Sequence, residues 1–223
     1  MTTTTAHIRE HHSFLAAPEK RLLIWIAHRL PPGINSDHLT LLALGAMFLA
    51  GGAFAAARLE PLTLWLVVLA LALNWFGDSL DGTLARVRRV ERPRYGFYVD
   101  HVLDIVGTTA LMGGLAVSGY MTPVIAIATL AAYLLVSAEV FLSTAAQGVF
   151  RMSFLRFGPT ELRIALAIGA VALFGDPRVD LGAFGQPRLF DVGGAVASTG
   201  MLAALAYAVG RNTAALAQLE PRR

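Results

Sequence analysis

Apolar residues in this chain gather into long runs instead of alternating with polar ones. Six stretches carry almost no charge: about Leu39–Ala57, Leu62–Phe76, Leu103–Val117, Pro123–Phe150, Leu162–Phe174 and Val192–Val209. A helix advances about 1.5 Å per residue and the hydrocarbon layer is about 30 Å thick, so runs approaching 20 residues predict membrane-crossing helices. The second, third and fifth runs are short on their own. The second and third gain length if helix continues into the polar segment between Asp78 and Asp104, so that both protrude from the bilayer.

Ahead of the first run, Leu22, Leu23, Trp25, Ile26 and Leu30 are interspersed with Lys20, Arg21, His28 and Arg29, and Pro18 is placed for a first helical turn. This pattern predicts an amphipathic helix lying on the membrane surface, or a soluble cap packed on the loops. No apolar core follows a basic start near Met1, so the segment does not read as a cleavable signal. The expected fold is an all-α integral membrane protein with six transmembrane helices, an N-terminal juxtamembrane amphipathic helix and both termini cytoplasmic.

Composition agrees with this reading. Of 223 residues, 56% are hydrophobic and 15% charged, with a mean hydropathy of +0.60. Counting glycine brings the apolar share to roughly 65%, against about 45–50% in soluble domains. With no cysteine, thiol nucleophiles, thiolate metal sites and disulfides are excluded, and any catalysis falls to carboxylates, histidines, hydroxyls or a metal. Three of the 18 basic residues, Arg58, Arg178 and Arg188, flank the spans on one side, and the others all fall on the side of both termini. The crowded side is expected to be cytoplasmic, with the protein in the cytoplasmic membrane. Gly51-Gly52 and Gly113-Gly114 are expected at close helix crossings.

One segment breaks the apolar pattern. Asp78 and Asp81 are three residues apart at the end of the second span, and Asp100 and Asp104 are four apart at the start of the third, so each pair shares a helix face. A connector of about ten residues makes the two helices antiparallel neighbours, which lets four carboxylates converge. Their repulsion calls for counterions, and oxygen-only ligation selects hard cations such as Mg²⁺ or Mn²⁺, with two such ions suited to phosphoryl transfer. An ion or proton pathway and simple pairing with nearby arginines remain open on spacing alone. Gly82 and Ala85, one and four residues past Asp81, leave room for a flat ligand beside the helix, and Arg86 offers a planar donor fork for phosphate.

The pattern Asp78-x2-Asp81-Gly82-x2-Ala85-Arg86-x9-Gly96-x3-Asp100-x3-Asp104 resembles the signature of the CDP-alcohol phosphatidyltransferases, integral membrane enzymes of phospholipid synthesis. All eight motif residues match, and the connector of nine residues between Arg86 and Gly96 is one longer than usual in that family. The resemblance implies that Asp78, Asp81, Asp100 and Asp104 hold two divalent cations, Mg²⁺ or Mn²⁺. It implies that Asp104 is also the general base, and that Gly82, Ala85, Arg86 and Gly96 border the CDP moiety. It also implies a catalytic domain over 36–213 between an N-terminal cytoplasmic or interfacial segment, 1–35, and a cytoplasmic tail, 214–223. Where the family tends to carry Pro-Asn-x-x-Thr, this chain has Ser36-Asp37-His38-Leu39-Thr40, so that Thr40 matches and Asp37 replaces the amide. Asp37 and Thr40 are candidate cytidine contacts, and a helix cap at Ser36 or Asp37 is the competing reading.

After the fourth span, Arg151, Arg156 and Arg163 are candidates for an acceptor or lipid phosphate, or else set topology and meet headgroups. Glu161 suits the positive end of the fifth helix. Glu139, inside the fourth span, is expected to face the site cavity or pair with an arginine. The expected activity is transfer of a phosphoalcohol group from a CDP-alcohol to an acceptor hydroxyl, with release of CMP. The donor is CDP-diacylglycerol or a CDP-headgroup. Membrane lipid and a second copy of the chain are expected partners and nucleic acid is not. The alternative is a cation or metal transporter using the acidic cluster, which predicts ion flux without nucleotide dependence.

Overall fold

The computed structural model describes residues 16–147 and 159–220. Among these residues seven α-helices follow one another: α1 Ala16–Ala27, α2 Ser36–Ala57, α3 Leu64–Arg88, α4 Pro93–Ser118, α5 Pro123–Gln147, α6 Pro159–Ala172 and α7 Leu189–Leu219. Among the described residues there is no β-sheet, only an isolated bridge between Arg178 and Arg188. Among the described residues, five segments are long and apolar enough to cross a membrane: Ser36–Ala57, Pro61–Arg88, Pro93–Ser118, Pro123–Gln147 and Leu189–Leu219. They account for five of the six expected runs. The fifth run forms α6, whose 14 residues fall short of that length.

Local chemistry sets the helix ends. Asn35 is the N-cap of α2: its side chain accepts from the His38 N–H at 3.0 Å, while His38 Nδ1 accepts from the Asn35 N–H at 3.3 Å. The cap is therefore neither Ser36 nor Asp37, whose side chains are left for other partners. Pro93 opens α4 in the first helical position, where its missing N–H costs nothing. Arg89, with φ of 57°, closes α3 in the left-handed conformation, and the Val90 N–H reaches back to the Ala85 carbonyl at 3.0 Å. The connector between α3 and α4 is thus Arg89–Arg92. Of the expected connector, Val87 and Arg88 continue α3 and residues from Pro93 onward already belong to α4, so the turn itself is shorter than the spacing suggested.

α2 packs on α3 and α4, α4 on α5, α5 on α7, and α3 on α6 and α1. The main core gathers Phe54, Leu64, Val67, Ala70 and Leu115, all buried. One glycine of each sequence pair makes a close crossing. A Cβ on Gly114 would run into the Gly51 backbone and one on Gly51 into the Ala110 carbonyl, whereas Gly52 and Gly113 face open space. Gly77 plays the same part between α3 and α2, where a Cβ would lie 2.5 Å from the Leu39 carbonyl oxygen. These contacts hold α2, α3 and α4 close enough for their ends to form one site. At the far end of the bundle, Tyr120 Oη donates to the Ala57 carbonyl at 3.4 Å and Trp65 packs on Phe174 at 5.3 Å.

Candidate active site

The last turns of α3 and the first turns of α4 lie side by side at the other end of the bundle. Asp78 on α3 and Asp100 and Asp104 on α4 each bring one carboxylate oxygen within 4.8 Å of the others. Oxygens sharing a divalent ion at about 2.1–2.4 Å are no more than about 4–5 Å apart, so this trio fits a hard cation.

Asp81 is within electrostatic reach of Asp78 and Asp100 but outside that trio, and its carboxylate is held by other donors. Thr40 Oγ1 on α2 donates to Oδ2 at 2.7 Å, and the Gly82 N–H donates to Oδ1 at 2.5 Å. Ser36 Oγ donates to the Asp81 carbonyl at 2.8 Å, which ties the start of α2 to the same turn of α3. Asp37 pairs with Arg92, and the bonded carboxylate raises the pKa of that guanidinium further. Both side chains are about half exposed, so the pair contributes little stability. It joins the start of α2 to the α3–α4 connector.

Arg86 folds back over Gly82. Its Nη2 donates to Thr83 Oγ1 at 3.1 Å, and a Cβ on Gly82 would lie 3.4 Å from Nη1. A Cβ on Gly96 would meet nothing within 4 Å, so the facing helix is open at that level. Ala85, half-buried, follows Gly82 by three residues on α3.

Arg163 on α6 sits on the acidic group. Its Nη2 donates to Asp78 Oδ2 at 2.5 Å and its Nε to Asn74 Oδ1 at 2.6 Å, while Asn74 Nδ2 donates to the Ala43 carbonyl at 3.0 Å. Asn74 was not singled out from sequence, although an amide within the run Ala-Leu-Ala-Leu-Asn-Trp-Phe is the kind of interruption that signals a buried partner. Glu161 lies in the first turn of α6. Glu139 is engaged by α7, its Oε1 accepting from Asn212 Nδ2 at 2.6 Å. Arg151 and Arg156 lie outside the described residues. His101 turns from the carboxylates toward aromatic neighbours, its ring 4.3 Å from that of Phe97 and 5.3 Å from that of Phe141.

A family model described as CDP-alcohol phosphatidyltransferase matches residues 36–210, from the first residue of α2 into the last turns of α7. No curated protein and no solved structure matches the chain.

Proposed function

The chain belongs to the CDP-alcohol phosphatidyltransferase family, and from that premise we propose that it transfers a phosphoalcohol group from a CDP-activated alcohol to an acceptor hydroxyl, releasing CMP. It is a membrane transferase of phospholipid synthesis, which leaves no support for the transport alternative. The observation that carries the finer reading is the convergence of Asp78, Asp100 and Asp104 beside Gly82, which the Arg86 guanidinium overlies, and the open helix surface at Gly96.

Asp78, Asp81, Asp100 and Asp104 would hold two Mg²⁺ or Mn²⁺ ions, an all-oxygen set matched to hard cations. When bound, the ions would neutralise the donor diphosphate and the charge that develops on its oxygens. The chain's own groups do the rest. Gly82, Ala85 and Gly96 leave space for the CDP moiety, Arg86 donates to its phosphates, and Asp37 and Thr40 border the cytidine end. Asp104 takes the acceptor hydroxyl proton. The acceptor oxygen bonds to the β-phosphorus as the bond from that phosphorus to the bridging oxygen breaks, and the bridging oxygen leaves as part of CMP. Arg151, Arg156 and Arg163, with Glu139 and Glu161, are assigned to the acceptor side. Positioning and charge neutralisation supply most of the rate enhancement in such transfers.

For topology, we read α6 as a sixth crossing. It begins where Arg163 meets Asp78 and leads to Phe174, which packs on Trp65 at the opposite end of the bundle. Both termini and the acidic site then fall on the basic, cytoplasmic side of the cytoplasmic membrane, and α1 lies in the interface with Leu22 and Trp25 exposed. Residues 36–213 form the catalytic unit in this reading.

The test is CMP release by purified protein with Mg²⁺ or Mn²⁺. CDP-diacylglycerol is offered with glycerol 3-phosphate, inositol, inositol phosphate or serine, and diacylglycerol with CDP-choline or CDP-ethanolamine. At least one pair is expected to release CMP, and chelation to stop it. A folded protein that releases none from any pair, or that conducts ions without nucleotide, overturns the proposal. Thr40→Val should slow the productive pair by roughly 10–100-fold, since removing a hydrogen bond to a charged group costs about 1.5–3 kcal/mol. An unchanged rate would show that Asp81 does not need the Thr40 hydroxyl.

A further inference from the structure

Glu19 of α1 is a carboxylate outside the motif and outside the family match, yet its Oε1 gathers three donors from two other helices. Trp75 Nε1 donates at 2.6 Å and Ser79 Oγ at 3.4 Å, both from α3, and Thr160 Oγ1 donates at 3.0 Å from the first turn of α6. Trp75 and Ser79 each follow by one residue the two groups that Arg163 bridges, Asn74 and Asp78, and Thr160 precedes Arg163 by three. The seam between α3 and α6 is therefore closed twice in adjacent register, once by Arg163 and once by Glu19.

Docking of α1 does not call for this. Leu23 and Ala27 are buried against Leu39, Leu80 and Leu84, and the Arg88 guanidinium donates to the carbonyls of Leu30, Pro31, Pro32 and Ile34 in the linker behind α1. What the carboxylate adds is a bond across the seam, one helical turn from the Arg163–Asp78 pair. We infer that Glu19 is a positioning residue: it holds the start of α6 against α3 and so seats Arg163 on Asp78. The inference deepens the metal-site reading and rests on it only where Mn²⁺ binding is the readout. Residues that orient a ligating carboxylate typically change metal affinity about 10–100-fold when removed.

The chain has no cysteine, so spin labels at Val90→Cys and Leu162→Cys, both exposed, report the distance between the end of α3 and the start of α6 without background labelling. Double electron–electron resonance on the full chain is expected to show a broader distance distribution in Glu19→Ala and a wild-type one in Glu19→Gln, which keeps an acceptor oxygen. Titration with Mn²⁺ alone is expected to show Glu19→Ala shifting the dissociation constant at least threefold, in the direction Arg163→Gln shifts it. The double variant should shift no further than Arg163→Gln, because both changes release the same carboxylate. An unbroadened distribution in Glu19→Ala, a Glu19→Gln that behaves like alanine, or additive shifts overturns the inference. If the wild type binds no Mn²⁺, the metal-site reading falls, and the label distances alone decide the role of Glu19.

Discussion

Asp104→Asn is expected to lower the rate of CMP release by at least about a hundredfold while the protein keeps its fold and its melting temperature. A positioned general base contributes about 10²–10⁴-fold, and asparagine cannot take the acceptor proton at neutral pH. The substitution is close to isosteric, so the packing of α4 has no reason to change. Asp104 lies with Asp78 and Asp100 in the three-oxygen group, so the variant also loses one charged ligand. The two roles separate by measurement. Loss of ligation weakens Mn²⁺ binding and is relieved by raising the metal concentration, whereas loss of the base persists at saturating metal. Asp100→Asn is the matched control, since it costs a ligand without removing the proposed base. Activity of Asp104→Asn near the wild-type level at saturating metal would take Asp104 out of the chemistry.

The sequence made the acidic site legible because its spacing is local. Asp78 with Asp81 and Asp100 with Asp104 are helical neighbours, and a short connector brings the two helices together. The contacts that complete the site are not local, and period arguments do not reach them. Arg163 meets Asp78 across 85 residues of sequence and Thr40 meets Asp81 across 41, and Glu19 ties α1 to α6. The cap of α2 shows a different limit. Asn35, Ser36 and Asp37 are three good capping residues in a row, and only the backbone decides that Asn35 takes the position and frees the other two. Hydropathy located the start of α5 closely and underestimated α3 and α4, because helix persists past the point where the residues stop being apolar.

The crossing of α2 and α4 should be the most sensitive point in the fold outside the site, and Gly114→Ala its sharpest test. A Cβ on Gly114 would meet the oxygen, carbon and Cα of Gly51, all backbone, so no side-chain rotation relieves it and the helices must separate. Overpacking of this kind costs about 1–3 kcal/mol, enough to lower the melting temperature of a chain this size by several degrees. Gly113→Ala is the control one residue away. Its Cβ meets nothing within 4 Å, and alanine favours helix over glycine by up to about 1 kcal/mol, so that variant should be neutral or slightly more stable. The displacement in Gly114→Ala also carries to the site. Asp104 lies ten residues earlier on α4, roughly 15 Å along its axis, and a helix pushed off α2 moves Asp100 and Asp104 relative to Asp78. Mn²⁺ affinity and CMP release should therefore both fall in Gly114→Ala and stay at wild-type levels in Gly113→Ala. Equal melting temperatures for the two variants would mean that α2 and α4 do not cross at Gly51 and Gly114.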